Sequence, residues 1–378
     1  MFYVSKVSLP FFFLAMLDLL YSLAVKSLQL DPKIVWITAV FGFVAHTIMS
    51  AMYQIVPNSQ GRPLRPIWLS YVVFALSLFS SFLFYLFQTL YASLVYAFAS
   101  LLFAINILLS IKNWQPITVK FIGLGTLYLL FASFFLLLSE LGFLPLALAV
   151  HSLTLGFMLN VVVGVELAWI PMLYMEPLNI VLSRRLFYLS LLYLPPFLLS
   201  LYLLNYRLIS LASLLVLAFV GYFFYILYSV FSRRRMPKEV PLVVRYFILA
   251  LIMLPFGLLL GSIMAGEGIV SFLLPLHFDL LVYGFTGTTI MGGLAHLYPR
   301  IVYNWKFSGA TGVSLSDLLR EDALKRIIFL IPLSLAWMLF ADAYGGFLSY
   351  MSSLPYILLW LYFAWAVLLR GMFYKPTN

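Results

Sequence analysis

This sequence has few charged residues and no cysteine. Only 9% of its 378 residues are charged and none is cysteine, whereas 65% are hydrophobic and the mean hydropathy is +1.08. The lack of cysteine excludes disulfides, thiolate nucleophiles, iron–sulfur clusters and thioether-linked haem. Soluble domains are about one quarter charged. The scarcity of charge therefore excludes a water-soluble globular protein and indicates that a bilayer surrounds most of the surface.

Long apolar runs without two-residue alternation recur from one end of the chain to the other. Since lipid offers the backbone no hydrogen-bond partners, such runs must be helices rather than barrel strands. The first run contains Asp18 and is followed by no small-residue cleavage site, which favours a retained span over a signal peptide. The sequence predicts an all-α integral membrane protein, a single membrane domain over 1–378 with about twelve spans. The predicted spans are 8–28, 35–57, 67–90, 92–111, 118–139, 144–174, 186–205, 208–231, 243–265, 269–299, 326–345 and 351–370.

The distribution of Lys and Arg predicts the orientation of these spans. With the N-terminus in the cytoplasm, all but three of the 22 Lys and Arg fall on the cytoplasmic side, the exceptions being Lys26, Lys33 and Arg207. This is the positive-inside bias of a multi-pass plasma-membrane protein, so both termini are predicted to be cytoplasmic. The run Arg233–Arg235 is expected to face anionic lipid, and the net charge of +10 indicates orientation rather than nucleic-acid binding. The 300–325 loop is predicted to form a short amphipathic helix on the cytoplasmic side.

A pattern of Gly-Phe followed fourteen residues later by Pro occurs three times. Composition alone predicts about 0.1 such patterns, and the three fall on the second, sixth and tenth spans. We therefore expect one four-helix module used three times around a pseudo-threefold axis, in units of about 1–111, 112–231 and 232–378. The patterns are Gly42-Phe43…Pro57, Gly156-Phe157…Pro171 and Gly284-Phe285…Pro299.

The same three spans carry every histidine of the chain: His46 on the second, His151 on the sixth, and His277 and His296 on the tenth. Ionisable side chains at membrane depth are costly and usually have a functional reason. A b-type haem inside a membrane needs two neutral imidazoles facing one another at similar depth, or one imidazole and an open site. Asp279 is expected either to hydrogen-bond an imidazole N–H and fix its tautomer, or to be a protonated acid between helices.

Two spans resemble the catalytic subunit, subunit I, of the haem–copper oxidases and their nitric-oxide-reductase relatives. The tenth, HFDLLVYGFTGTTIMGGLAHLYPR, is similar to the family's tenth helix, which reads His-Phe-His and then IMGG-x-x-His-x-x-Pro. The second, HTIMSAMYQIVP, has its histidine eleven residues before a proline, as the family has. The sixth, HSLTLGFMLNVVVGVELAWIP, resembles related haem proteins linked to nitric-oxide tolerance. The resemblance implies a subunit-I-like fold of twelve helices in three four-helix arcs, with haem bound by histidines of the second and tenth.

The chain departs from that family where the family binds copper. Asp279 stands in place of the second histidine of the tenth helix, and the seventh span, 186–205, lacks the adjacent histidine pair. His151 is not followed by the family's Pro-Glu-Val-Tyr sequence. Copper would need three imidazoles, and at most one remains. The resemblance thus implies one or two haem b groups without copper, and a protein that does not reduce dioxygen.

We expect His46 and His277 to be the axial ligands of this haem. Two alternatives remain open for His151, namely a His151–His277 pair or ligation of a second haem. His296, near the cytoplasmic end, is expected to be structural unless a second haem lies on that side. Each of these histidines could instead be a buried, hydrogen-bonded side chain.

The predicted function is electron transfer within a hetero-oligomeric respiratory complex. The chain would pass electrons from quinol to an outer-face partner such as a cytochrome, cupredoxin or Rieske protein, because its short outer loops hold no soluble redox domain. One alternative is a cofactor-free membrane anchor of a redox complex. Another is a transporter, although transporters usually show two-fold repeats and broken helices. The residues leave open whether the chain is itself an enzyme; if it is, it is an oxidoreductase subunit.

Overall fold

The computed structural model describes residues 2–233, 239–267, 272–310 and 312–375. Within these ranges every regular element is helical, and twelve helices are long and apolar enough to cross a membrane, which confirms the predicted all-α membrane protein. Arg234, Arg235 and the predicted start of the tenth span at 269–271 lie outside the described residues. The helices are α1 (Ser8–Ser27), α2 (Pro32–Gln60), α3 (Ile67–Tyr85), α4 (Thr89–Ser110), α5 (Ile117–Glu140), α6 (Leu146–Leu173), α7 (Ile180–Tyr202), α8 (Tyr206–Arg233), α9 (Leu242–Gly266), α10 (Leu273–Phe307), α11 (Glu321–Tyr344) and α12 (Phe347–Met372).

Some helix ends differ from the prediction because capping residues rather than hydropathy decide them. α7 begins at Ile180 instead of position 186, because the side chain of Asn179 accepts a hydrogen bond from the backbone N–H of Leu182 at 3.1 Å. α2 continues beyond its predicted end at position 57 and stops at Gln60. The next residue, Gly61, has a φ of 61°, the left-handed conformation that commonly ends helices.

The largest correction concerns the loop between α10 and α11. α10 passes through Pro299, its predicted last residue, and continues to Phe307, because one proline removes a single backbone donor without ending the helix. α11 begins at Glu321 instead of position 326, and this acidic side chain suits the positive end of the helix dipole. The described residues between the two helices form one 3₁₀ turn, Ser316–Leu318, and no amphipathic helix, so that prediction is wrong.

The twelve helices close into a ring of three four-helix units that share one pattern of neighbours. In each unit the first helix packs against the second and third, and the fourth packs against the second and third. The fourth helix then meets the first helix of the next unit: α4 with α5, α8 with α9, and α12 with α1. The second helices lie at the centre, because 72–89% of the residues in their apolar spans are buried, against 33–67% in the other nine.

Each central helix contains a π-helical segment at the repeated Gly-Phe pair. The segments of α6 and α10 both pack against that of α2. The glycines therefore define one level across the three central helices, which gives a common register for comparing depth. Single π turns within α-helices are frequent at functional sites. The segments are Thr38–Val44, Ser152–Met158 and Asp279–Thr286.

The repeated glycine allows the first helix of its own unit to approach closely. A Cβ atom at any of the three positions would fall on a side chain of α1, α5 or α9. The contacts would be 2.7 Å from Gly42 to Asp18, 2.6 Å from Gly156 to Tyr128, and 3.2 Å from Gly284 to Met253. This explains why glycine recurs at the same place in each unit.

Candidate functional site

The structure brings together two of the four histidines, His151 on α6 and His277 on α10. Their ring centroids are 6.4 Å apart and their planes differ by 24°. His151 precedes Gly156 by five residues, and His277 precedes Gly284 by seven. In the common register this is a difference of two residues, or roughly 3 Å of helix. The two rings therefore lie at nearly the same depth, close to the N-terminal ends of their helices.

Both rings are held through Nδ1. The Nδ1 atom of His151 lies 2.8 Å from the carbonyl oxygen of Ala147, and that of His277 lies 2.8 Å from the carbonyl oxygen of Gly257 on α9. A carbonyl only accepts, so each Nδ1 donates its proton and Nε2 carries the free lone pair. This is the arrangement that orients a metal-binding histidine. Both side chains are half-buried, which leaves the pair accessible to a ligand.

A glycine of α9 makes room for one of the two rings. A Cβ atom on Gly261 would lie 2.7 Å from Cε1 and 3.1 Å from Nδ1 of His277. On the other side Phe197 of α7 packs against His151, with 5.5 Å between ring centroids. The pair thus lies where helices of the second and third units meet.

The distance between the His151 and His277 rings is close to that of two imidazoles bound to one metal ion. A bond between a metal and an imidazole nitrogen is about 2 Å, so a metal held by two Nε2 atoms places the ring centroids roughly 6 Å apart. The observed separation is 6.4 Å. The described residues contain no group of three His, Cys, Asp or Glu side chains that could hold a bare metal ion. A porphyrin brings its own nitrogen ligands, and two axial imidazoles complete the coordination.

His46 has other partners. Its Nδ1 atom lies 2.8 Å from Oδ2 of Asp18 on α1, and its ring packs against Phe11 and Tyr96 at centroid distances of 5.9 and 6.0 Å. The Nε2 atom is buried and has no hydrogen-bond partner among the described residues. The side chain is 1% exposed, so the ring is enclosed within the first unit.

Depth separates His46 from His277. His46 follows Gly42 by four residues, whereas His277 precedes Gly284 by seven. The difference of eleven residues corresponds to roughly 16 Å of helix. Two ligands of one iron cannot be so far apart. The structure therefore does not bring together the first expected pair, and the rings that meet belong to the alternative pair, His151 and His277.

His296 lies at the other end of α10, nineteen residues or roughly 28 Å from His277. Its ring centroid is 4.7 Å from that of Trp169 on α6, and Nη1 of Arg300 donates to its Nδ1 at 3.1 Å. The side chain is buried. These contacts are those of a packed, hydrogen-bonded histidine.

The partner of Asp279 is a lysine. Both carboxylate oxygens of Asp279 lie 2.5 Å from Nζ of Lys26 on α1, and the same Nζ lies 2.7 Å from a carboxylate oxygen of Asp342 on α11. The side chains of Lys26, Asp279 and Asp342 are 12%, 1% and 9% exposed. Of the two roles expected for Asp279, the hydrogen bond to an imidazole is absent among the described residues. The carboxylate does lie between helices, but in an ion pair that joins the first and third units.

Lys33 is paired as well. Its Nζ atom lies 2.7 Å from Oε2 of Glu140, and the hydroxyl of Thr89 donates to the same oxygen at 2.6 Å. A haem also needs cations near its propionates. Of the three cations on this side of the ring, the exposed Arg207 at the start of α8 has no carboxylate partner among the described residues.

Sequence reasoning missed Tyr85, Gly257 and Gly261. The hydroxyl of Tyr85 donates to the second carboxylate oxygen of Asp18 at 2.6 Å, but a tyrosine at a helix end resembles an ordinary interface aromatic. The two glycines did leave a signal, because a spacing of four residues between glycines in a span marks close contact with another helix. Here the contact at Gly257 is made by Leu281, and the contact at Gly261 is made by the His277 ring.

No protein-family model matches the chain. A protein of Aquifex aeolicus (strain VF5) that bears the name "Uncharacterized protein" is 44% identical to it over 362 residues. The match covers 95% of this chain and 96% of the relative, so it includes all twelve helices rather than one unit. The chain belongs to the same protein family as this Aquifex aeolicus protein.

Proposed function

We propose that the chain is a membrane-embedded, b-type haem protein that transfers electrons as one subunit of a respiratory complex. The observation that carries the proposal is the His151–His277 pair. The two half-buried imidazoles lie at nearly the same depth, their rings are 6.4 Å apart, and both Nδ1 atoms are engaged by carbonyl oxygens. A bound haem would supply reversible one-electron chemistry, and the protein would set its ligands and surroundings.

The residues around the pair have separable tasks. The carbonyl groups of Ala147 and Gly257 keep each Nδ1 protonated and each Nε2 unprotonated, which is the form that binds a metal. Gly261 provides the space for the His277 ring, and Phe197 limits the rotation of His151. Arg207, exposed at the start of α8, would be the candidate partner of a propionate. One pair of ligands supports one haem.

The proposed partners follow from the shape of the chain. The connections after the odd-numbered helices are short, for example positions 28–31 after α1 and 203–205 after α7, so a soluble redox domain on that side must be another polypeptide. A cytochrome, cupredoxin or Rieske protein would meet this need, with quinol as the donor. The bias of Lys and Arg toward the other side supports a plasma-membrane location with both termini in the cytoplasm.

A visible spectrum tests the proposal directly. The protein is purified in mild detergent from cells supplied with a haem precursor, and reduced and oxidised spectra are recorded. We expect a Soret band, an α band on reduction, and about one haem b per chain by pyridine haemochrome assay. A purified, folded protein without a Soret band would contradict haem binding, and the cofactor-free anchor would then be the better explanation.

A further inference from the structure

A buried carboxylate–imidazole pair lies inside the first four-helix unit, away from the candidate haem site. Nδ1 of His46 on α2 lies 2.8 Å from Oδ2 of Asp18 on α1, and both side chains are 1% exposed. Asp18 is near the middle of α1 and faces Gly42, the repeated glycine of this unit. The pair therefore lies at membrane depth, where ionisable side chains are costly and usually have a functional reason.

The pair occurs in one of the three units only. His46 follows the repeated glycine by four residues, and Asp18 is the side chain that a Cβ atom on this glycine would meet. At the equivalent positions the other two units carry no carboxylate and no imidazole, so the pair is not needed for the packing that the units share. The equivalent residues are Asn160 and Tyr128 in the second unit, and Thr288 and Met253 in the third.

The hydrogen bonds of the pair leave one nitrogen free. Oδ2 of Asp18 accepts from Nδ1–H of His46, and Oδ1 accepts from the hydroxyl of Tyr85 at 2.6 Å. Within the described ranges no Lys or Arg pairs with Asp18. Nε2 of His46 is buried and has no partner there. It is therefore the atom of the pair that can accept a proton without breaking an existing hydrogen bond.

A proton on Nε2 removes a buried net charge. With a neutral imidazole the pair carries the single negative charge of Asp18, which is unfavourable among apolar rings such as that of Phe11. With Nε2 protonated the pair is an imidazolium and a carboxylate in direct contact, and its net charge is zero. Histidine is also the side chain that ordinarily gains and loses a proton between pH 5 and pH 8.

The other ionisable groups around the pair are either distant or tyrosines. Lys26 lies eight residues beyond Asp18 on α1, roughly 12 Å of helix, and has its own carboxylate partners. Glu166 of α6 lines a cavity with Thr47, on a different face of α2 from His46. The tyrosines on the surrounding helices are Tyr21 on α1, Tyr53 on α2, Tyr85 on α3, Tyr96 on α4, Tyr283 on α10 and Tyr356 on α12.

Tyr85 connects the pair to the edge of the unit. It is the last residue of α3 and half-buried, and the three residues that follow it are exposed. The ring of Tyr21 packs on it with 4.2 Å between centroids, and the hydroxyl of Tyr21 donates to its carbonyl oxygen at 2.8 Å. These contacts hold the Tyr85 hydroxyl toward Asp18, and a hydrogen bond donated to a carboxylate favours its ionised form.

We propose that His46 is a reversible proton-binding site, in which Nε2 takes up one proton and Asp18 stays ionised as the counter-ion. Nδ1 keeps its proton throughout, and the carboxylate keeps both of its hydrogen bonds. Tyr85 acts as a positioning residue, because it holds Asp18 in the ionised form. The new Nε2–H can donate, directly or through one enclosed water, to the hydroxyl of Tyr96, whose ring packs against His46 and whose oxygen is buried without another partner in the described part of the chain.

Nitrogen NMR of the histidine side chains tests this proposal on the wild-type protein in liposomes. The chain has only four histidines, so labelling histidine with nitrogen-15 gives few signals, and those lost in His46→Gln belong to His46. We expect the doubly protonated form of His46 to be at least tenfold more abundant at pH 5 than at pH 9. A ring that stays singly protonated over this whole range, or doubly protonated over all of it, would refute reversible proton binding.

Two substitutions test the counter-ion and the positioning residue. Asp18→Asn removes the charge and keeps the shape, so the doubly protonated fraction of His46 at pH 5 should fall at least tenfold. Tyr85→Phe removes one donor to the carboxylate and should lower this fraction several-fold. Glu140→Gln and Tyr128→Phe, both on α5, are the matched controls and should leave it unchanged.

A titration curve like that of the wild type in Asp18→Asn would overturn the proposal, and one in Tyr85→Phe would refute the role of its hydroxyl. The titration of the wild-type protein does not depend on whether a variant folds. Because the readout is the protonation of His46, it is also independent of any haem spectrum, so the proton site and the proposed haem site can fail separately.

Discussion

The ring of His151 lies 6.4 Å from the ring of His277, and the two belong to different repeat units. Neither unit contains the pair by itself. Their contact depends on the closure of the ring at the boundary between the second and third units, where α8 packs against α9. A cofactor held between them would join these units at one side of the membrane, as the Lys26–Asp279 ion pair joins the first and third.

Replacing either member of the pair should remove the haem spectrum. His151→Ala and His277→Ala each delete one axial ligand, so we expect at least tenfold weaker haem binding, or a change from a low-spin to a high-spin spectrum. His46→Phe and His296→Phe are matched controls and should keep the wild-type Soret position. The measurement is haem content and spin state in purified protein. Loss of haem in His46→Phe with retention in His151→Ala would assign the ligands differently.

Filling the space at Gly261 should displace the His277 ring without removing its nitrogen. A Cβ there would meet the ring at 2.7 Å, so Gly261→Ala is expected to lower haem content several-fold or to shift the Soret band. Gly266→Ala, on the same helix but with open space around its Cα, should have no such effect. Equal spectra for the two variants would show that the close contact at Gly261 is unimportant for the site.

Removing the charge of Lys26 should destabilise the protein more than removing that of Lys33. Lys26→Met leaves the buried carboxylates of Asp279 and Asp342 without a cation, a change that typically costs 3–5 kcal/mol. Lys33 is 40% exposed, so we expect Lys33→Met to cost about 1 kcal/mol. Thermal denaturation in detergent measures both. Adding Asp279→Asn and Asp342→Asn to Lys26→Met should restore most of the loss, and a failure to do so would contradict the ion-pair explanation.

The absence of cysteine makes the orientation easy to measure. Single cysteines at Phe143, in the exposed connection between α5 and α6, and at Ser308, in the exposed loop after α10, lie on opposite sides of the ring. A membrane-impermeant maleimide should label Phe143→Cys in intact cells and Ser308→Cys only after permeabilisation. The reverse pattern would invert the topology predicted from the positive-inside bias.

The loop after α10 should respond to acid through Asp317. The backbone N–H and hydroxyl of Ser314 donate to its carboxylate at 2.7 Å and hold the pKa of Asp317 below the ordinary value. A depressed pKa means that the carboxylate stabilises the loop at pH values above the ordinary Asp pKa, and that this contribution is lost as the pH falls through the lowered pKa. The protection factor for amide hydrogen exchange at Ser314, taken against the intrinsic rate at each pH, should therefore be high at neutral pH and fall in strong acid. In Asp317→Asn, exchange should already be several-fold faster at pH 7, because the charge-assisted bonds are gone. An unchanged rate in the variant would contradict this role.

Three features could be predicted from the sequence: the membrane class, the twelve spans and the recurrence of Gly-Phe…Pro on every fourth helix. They depend only on the hydropathy of single segments and on the spacing of residues along the chain. A run of about twenty apolar residues forms a transmembrane helix in lipid, whichever helices it later packs against. The glycine of each repeat can likewise be recognised in the sequence, since a Cβ at Gly42 or Gly156 would clash with Asp18 or Tyr128, and a Cβ at Gly284 would press against Met253.

The candidate site was decided by tertiary structure. Which side chains meet depends on the depth of each helix and on its rotation about its own axis, and neither is a local property. The π segments add to this, because an extra residue in a turn shifts the face on which all later side chains lie. For this reason the sequence alone determined that His46, His151, His277 and His296 share three central helices. Only the folded ring decided that His151 meets His277 and that Asp279 pairs with Lys26.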